Sequence, residues 1–260
     1  MEKEEVLKER YLRHLMLEDV GEEGQKKLSN AKVLVIGAGG LGSPVCLYLA
    51  AAGIGRIGIL DYDIVEVSNL QRQIIHATSD IGKAKITSAQ IKMKNLNPNI
   101  RIDTYFEKLT TNNAMPIMQN YDFIVDATDN FAGKFLINDA CVLLNKPLSH
   151  AGVLKYRGQT MTILPHESAC FACAFDEPPA KELNAIFRAG LFGVVPGIIG
   201  CIQASEAIKY ILNLGELLTN TLLTMDIKTM NFRKVAIHKN ADCRVCSKEN
   251  GIKELKAYHE

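Results

Sequence analysis

What this 260-residue chain lacks narrows its function first. It has almost no excess charge: 30 Lys and Arg stand against 29 Asp and Glu, a net of +1. That balance gives no field to draw a nucleic acid or an anionic membrane, so neither is expected as a partner. No run of eighteen uninterrupted apolar residues occurs, which argues against a membrane span. The N-terminal MEKEEVLKERYLRHL is charged and has no apolar signal-peptide core. The seven cysteines are therefore expected in the reducing cytoplasm, where paired cysteines more often mean metal than disulfide. Internal repeats and low-complexity tracts are missing. So is G-x-x-x-x-G-K-[ST], the loop that grips a γ-phosphate with a lysine at a helix start.

What is present begins with VLVIGAGGLGSP, which carries Gly37-x-Gly39-x-x-Gly42 and is followed about twenty residues later by Asp61. That is the spacing of a dinucleotide-binding turn: glycines let the backbone approach a pyrophosphate at a helix N-terminus, and the acid reaches a ribose hydroxyl. Periodicity predicts strands over 32–37, 56–61, 100–106, 121–127 and 148–153, alternating with helices over 43–52, 82–96 and 134–145. Residues 4–28 read as an amphipathic helix with Leu7, Leu12, Leu15 and Met16 roughly on one side. Beyond Gly152, the stretches 158–164, 221–227 and 232–238 alternate apolar with polar as half-exposed antiparallel strands do, around a helix over 198–214. The segment 176–185, DEPPAKELNA, reads as a mobile crossing segment. The expected fold class is α/β, a doubly wound, mostly parallel Rossmann-like sheet continued by antiparallel strands.

Cys170-x-x-Cys173 and Cys243-x-x-Cys246 each set two thiolates on one tight turn, and two such turns make a closed tetrahedral four-cysteine site for structural zinc. Cys46, Cys141 and Cys201 fall inside expected helices, where a buried apolar role is the default. His76, His150 and His166 show no partner in the sequence and receive no role.

The charges after Asp61 argue against a simple NAD reading. Asp63, Ser68, Asn69, Leu70, Gln71, Arg72 and Gln73 crowd into DYDIVEVSNLQRQ, Lys85 follows in GKAK, and Asp126-Ala-Thr-Asp129-Asn130 ends the strand starting near Tyr121. A dehydrogenase has little need for two cations and an extra carboxylate there. A nucleoside triphosphate with Mg²⁺ does, because Asp129 supplies the hard oxygen ligand that Mg²⁺ prefers. Without a P-loop, the expected outcome is attack at the α-phosphorus and loss of pyrophosphate. For single residues a plainer role stays open: Asp61 as a turn cap, Arg72 and Lys85 as solvated charges, Asp126 as a structural hydrogen-bonder. An NAD-dependent oxidoreductase and a non-catalytic nucleotide-binding scaffold remain as alternative classes.

Taken in order, RYLRH, GAGGLGSP, LDYDIVEVSNLQRQ, GKAK, DATDN, AGLFGVVPGIIG and the two C-x-x-C pairs resemble the ubiquitin-activating-like adenylyltransferases, MoeB/ThiF/HesA branch. The resemblance runs from about Arg10 to about Cys246. It implies a single unit over 1–260, with a helical arm (1–30), a nucleotide-binding core (31–155) and a carrier-binding, zinc-containing part (156–250). It implies ATP, Mg²⁺ and Zn²⁺ as cofactors, and adenylation of the C-terminal Gly-Gly carboxylate of a small ubiquitin-fold sulfur carrier in molybdopterin or thiamine synthesis. By the same resemblance Gly40 and its neighbours approach the phosphates, Asp61 binds ribose, and Asn69, Arg72 and Lys85 hold phosphates. Asp129 serves Mg²⁺, and Arg13 reaches the neighbouring subunit's ATP site in a homodimer. One departure stands out. Many relatives carry a cysteine three residues before the Ala-Gly that here is Ala189-Gly190; this chain has Ile186. Isoleucine forms no thioester, so the chain is expected to stop at the acyl-adenylate and to hand it to a separate sulfur donor or amine.

Overall fold

The computed structural model describes residues 2–175, 190–249 and 251–258. Val33–Ile36 form a strand with no polar alternation because both of its faces are covered. Val33 and Val35 join one apolar core, and Leu34 and Ile36 join a second on the opposite face. A side chain fully buried in this way contributes about 1.5–3 kcal/mol, so the strand is held from both sides.

The strands are β1 (Lys32–Ile36), β2 (Arg56–Leu60), β3 (Arg101–Tyr105), β4 (Phe123–Asp126), β5 (Leu148–Leu154), β6 (Arg157–Ile163), β7 (Thr221–Asp226) and β8 (Asn231–Ala236). They form one eight-stranded sheet in the order β3-β2-β1-β4-β5-β6-β7-β8. The first five are mutually parallel, and the last three continue antiparallel. The doubly wound sheet with an antiparallel extension is as the sequence predicts. The order reverses between β1 and β4, and a crevice at the carboxyl ends of such a pair is where ligands of open α/β sheets bind.

The helices are α1 (Glu2–Arg10), α2 (Leu12–Leu15), α3 (Gly21–Asn30), α4 (Gly42–Ala52), α5 (Lys85–Leu96), α6 (Ala114–Met118), α7 (Phe131–Leu144), α8 (Phe171–Ala174) and α9 (Val194–Leu212). The expected single helix over 4–28 is three pieces. Tyr11 turns inward and is buried, its hydroxyl accepting a hydrogen bond from Asn97 Nδ2 at 2.8 Å, which breaks the helix there. Leu12 and Met16 are left exposed. The expected helix over 82–96 begins instead at Lys85, because Gly82 sits at φ +86°, in the left-handed region that a helix cannot use.

By length and composition α9 would also suit a membrane crossing, yet it packs against α4 and the sheet. Two of its buried polar groups bond across that contact. Gln203 Nε2 donates to the carbonyls of Asp126 and Ser149, at 2.9 and 3.1 Å. Glu206 accepts from the Thr162 hydroxyl and the Leu218 N–H. The helix thereby fastens the parallel half of the sheet to the antiparallel half.

Candidate active site

The crevice at the switch point is a cleft of about 1710 Å³. Its roof is the glycine turn. Gly37 has φ +105°, and a Cβ there would meet the Ala127 carbonyl oxygen at 2.6 Å. At Gly42 a Cβ would lie 1.9 Å from the Gly37 oxygen. Glycine is therefore required at both ends of the turn, which lets α4 start directly behind the loop with its N-terminus toward the cleft. Gly39 and Gly40 line the cleft between them.

Asp61 follows β2 and is buried. Its carboxylate accepts from the Ala38 and Asp63 N–H groups at 2.7 and 2.9 Å. Burial raises its pKa, while Lys85 and those two N–H groups act in the opposite sense. The acid is thus fixed against the glycine turn with lone pairs remaining for a sugar hydroxyl. Lys85 opens α5 and is buried, with its ammonium 2.7 Å from Asp63 Oδ2. Arg72 lines the cleft and spends one N–H on the Ser68 carbonyl at 3.0 Å. Asp129 is exposed at the end of the loop after β4 and also faces the cleft. An open carboxylate is the kind of hard oxygen donor that Mg²⁺ takes.

The structure therefore brings Gly37, Gly39, Gly40, Asp61, Asp63, Gln71, Arg72, Lys85, Asp129 and Asn130 to one cleft. Asn130 is engaged in part elsewhere, since its Oδ1 caps α7 by accepting from the Gly133 N–H at 2.7 Å. Five expected residues do not line the cleft: Gly42, Ser68, Asn69, Leu70 and Arg13. Gly42 is the first residue of α4, behind the turn. Asn69 is buried and turns its Oδ1 to the Glu66 N–H at 3.1 Å, closing the short turn Val67–Asn69. Arg13, on α2, is exposed.

Beneath the cleft, sequence reasoning named Asp126 but missed its partners Lys134 and His150. Asp126 ends β4, and its register partner on β5 is His150. His150 Nδ1 lies 2.8 Å from Asp126 Oδ2. Lys134 from α7 contacts the same carboxylate at 3.2 Å and donates to the Thr128 and Ala151 carbonyls at 2.7 and 2.6 Å. The Thr128 hydroxyl adds a bond of 2.6 Å. Burial alone would push the Asp126 carboxyl up, but Lys134, His150 and Thr128 together hold it well below the usual carboxylate range. His150 is lowered by burial, opposed by its bond to Asp126 and helped by Lys134. Asp126 is thus the structural hydrogen-bonder of the plainer reading. His76 and His166 also have partners: His76 bonds Ser88 and the Ala38 carbonyl, and His166 bonds the Val142 carbonyl.

A second centre lies where the C-terminal tail meets α8. The Sγ atoms of Cys170, Cys173, Cys243 and Cys246 all lie within 4.8 Å of one another, with close pairs at 3.8, 3.7 and 3.5 Å. Disulfide bonding requires about 2.05 Å. A zinc ion holding four sulfurs at about 2.3 Å spaces them about 3.8 Å apart, and these sulfurs fit it. Cys46 and Cys141 are fully buried, and burial pushes both thiols up, Cys46 to about 12. Cys201 is half-buried and shifted the same way, which gives it no nucleophilic activation. Ile186 and the segment 176–185 lie outside the described residues.

Residues 11–245 match the ThiF family. The chain belongs to the ThiF family. Among its relatives, a sulfur carrier protein adenylyltransferase of Thermus thermophilus is 42% identical over 256 residues, covering 96% of this chain and 94% of that protein. An adenylyltransferase and sulfurtransferase MOCS3 of Culex quinquefasciatus is 44% identical over 96% of this chain, which spans only 58% of that longer protein. A crystal structure of E. coli MccB with ATP superposes with a TM-score of 0.78 at 25% identity, over 86% of this chain and 68% of the other. In this ThiF-family chain the glycine turn and the sulfur cluster are separate centres, since none of the four paired cysteines lines the cleft.

Two outcomes are expected. Elemental analysis should find one zinc per chain, and Cys173→Ser should abolish it and lower stability on the order of a few kcal/mol, read by denaturant unfolding. The second outcome concerns pH. His150 has a folded pKa below its unfolded value, so its contribution is complete above about 6.5 and is lost as pH falls, when only the unfolded state takes up the proton. Unfolding midpoints measured between about pH 7 and 5 should fall, and less steeply in His150→Gln.

Proposed function

We propose that this chain uses ATP to adenylate the C-terminal carboxylate of a small ubiquitin-fold sulfur-carrier protein ending in Gly-Gly, releasing pyrophosphate. The observation that carries this reading is the convergence of the glycine turn, Arg72, Lys85, Asp61 and Asp129 on one cleft at the switch point. The substrate class rests on the Thermus thermophilus relative named for it, which matches nearly end to end.

The carrier's carboxylate is ionised at neutral pH, so its attack on the α-phosphorus needs no general base. The protein positions and neutralises. Asp61, fixed by two backbone N–H groups, orients the ribose. The Gly39–Gly40 backbone and the α4 N-terminus meet the phosphates, and the Arg72 guanidinium, with one N–H already anchored, offers the rest of its fork to their oxygens. Lys85 transfers part of its attraction from Asp63 to phosphate. Asp129 would hold Mg²⁺, which when bound offsets charge on the phosphate oxygens. The four cysteines would hold zinc as a structural ion with no open position. Arg13 is exposed and outside its own chain's cleft, which agrees with a homodimer in which it completes the neighbouring copy's site. The open edge of the sheet at β8, where Phe232 and Val235 are exposed, suits docking of the carrier's globular body. With Ile186 in place of a cysteine, the acyl-adenylate passes to a separate sulfur donor rather than to this chain.

Family membership leaves the oxidoreductase alternative without support, and exchange kinetics decide between an enzyme and a scaffold. Labelled pyrophosphate should exchange into ATP only when a Gly-Gly-ended carrier is present, measured across a panel of such carriers. Arg72→Ala should slow that exchange by roughly 10²–10³-fold; an equal rate removes Arg72 from the mechanism. Mass spectrometry of the chain incubated with carrier and ATP should find no thiol-labile adduct on the enzyme.

A further inference from the structure

Adenylation leaves one group at the cleft without a task. The attacking carboxylate carries no proton, yet a histidine lines the cleft with a buried aspartate bonded behind it. His150 is 2% exposed and lines the cleft beside Lys134, Gly152 and Phe171. Its Nδ1 lies 2.8 Å from the Asp126 carboxylate, which accepts from it. That bond places the ring proton on Nδ1 and leaves the lone pair on Nε2. Phe171 packs on the ring with centroids 4.3 Å apart and holds its orientation.

Among the described residues Nε2 has no hydrogen-bond partner. The charged groups packed on His150 are Asp126 from β4 and Lys134 from α7. The neighbours from β6 and α8, Met161 opposite it in register and Phe171, are uncharged. An unpartnered nitrogen on a cleft-lining imidazole whose other nitrogen is tied to a carboxylate has the arrangement of a general base. None of the residues lining this cleft is a cysteine, so among the described residues no thiol of the chain is placed to receive the acyl group.

We propose that His150, oriented by Asp126, is the general base of a second step in this cleft, taking the proton from an external thiol that attacks the acyl-adenylate. The step rests on the adenylation reading above. The thiol sulfur bonds the acyl carbon, and its proton moves to His150 Nε2. The bond from that carbon to the phosphate oxygen breaks, and AMP leaves with the electron pair. The imidazolium then releases its proton to solvent. The products are a thioester and AMP, and nothing is oxidised or reduced. A thiol with an ordinary pKa of about 8.5 is mostly protonated at neutral pH, so a base matters in this step as it does not in the first.

The test compares both steps in the full-length chain, with whichever Gly-Gly-ended carrier supports pyrophosphate exchange and with dithiothreitol as the thiol. Wild type, His150→Asn and His150→Gln are loaded with carrier and labelled ATP, and release of AMP on adding the thiol is timed. At about pH 7 both variants should lose roughly 10²-fold more in thiol-dependent release than in exchange. The gap should close near pH ~9.5, where the thiol ionises unaided. Parallel losses in the two rates, a gap that persists at high pH, or no loss at all overturns the proposal. Exchange in each variant reports that it has folded. Absence of exchange in wild type with every carrier overturns the adenylation reading itself, a separate and recognisable outcome.

Discussion

The cleft depends on one buried charge. Asp126 sits where β1 and β4 end together, beside His150 on β5, and its carboxylate joins three elements: Lys134 from α7, His150 from β5 and the Thr128 turn that leads to Asp129. A carboxylate taken out of water without partners costs several kcal/mol. Here every partner is itself tethered, so the loop after β4 has essentially one arrangement available. The position of Asp129 is thus a consequence of a salt bridge three residues away and not a property of its own exposed side chain.

Much of this is legible in the sequence, and the reasons are local. The glycine turn is readable because Gly37 and Gly42 answer steric demands within a few residues. The parallel strands are readable because burial on both faces removes polar alternation, as in Val33–Ile36. The cysteine pairs are readable because each is one turn long, although their meeting across 73 residues needs the fold. The arm reads as one helix because the apolar spacing of Leu12 and Met16 imitates an amphipathic face, while the residue that decides the packing is Tyr11. Neither His150 nor Lys134 carries a signal. Their significance comes from the register that sets His150 opposite Asp126, and single-sequence spacing holds no register across a parallel crossover. Asn69 shows the converse: a side chain suited to phosphate that the backbone uses to close a turn.

The two halves of the sheet divide the labour. The parallel half ends in the cleft, as doubly wound sheets do. The antiparallel half presents β8 exposed at every position, an edge that needs either protection or a partner. The helix α9 joins the halves through Gln203 and Glu206, both buried and both bonded on opposite sides of the β5–β6 boundary. The same Gln203 holds the Asp126 carbonyl directly.

Two cations of the cleft, Lys85 and Arg72, are engaged before any ligand arrives, and on the adenylation reading this would shape how a triphosphate is bound. Lys85 rests on Asp63, and Arg72 is anchored by one bond to the Ser68 carbonyl. The buried ammonium of Lys85 is therefore never left without a counter-charge, which avoids the penalty of an isolated buried ion. Asp63 is half exposed, so water can take over its solvation when phosphate draws the lysine away. A unit charge at ~4 Å is worth about 4 kcal/mol at an effective dielectric of about 20, and a triphosphate brings several such charges where Asp63 brings one. The exchange is then downhill for a polyphosphate and close to neutral for a singly charged anion. On the adenylation reading, selection for a multiply charged nucleotide would follow from that difference in charge, with the glycine turn needed only to let the backbone come close.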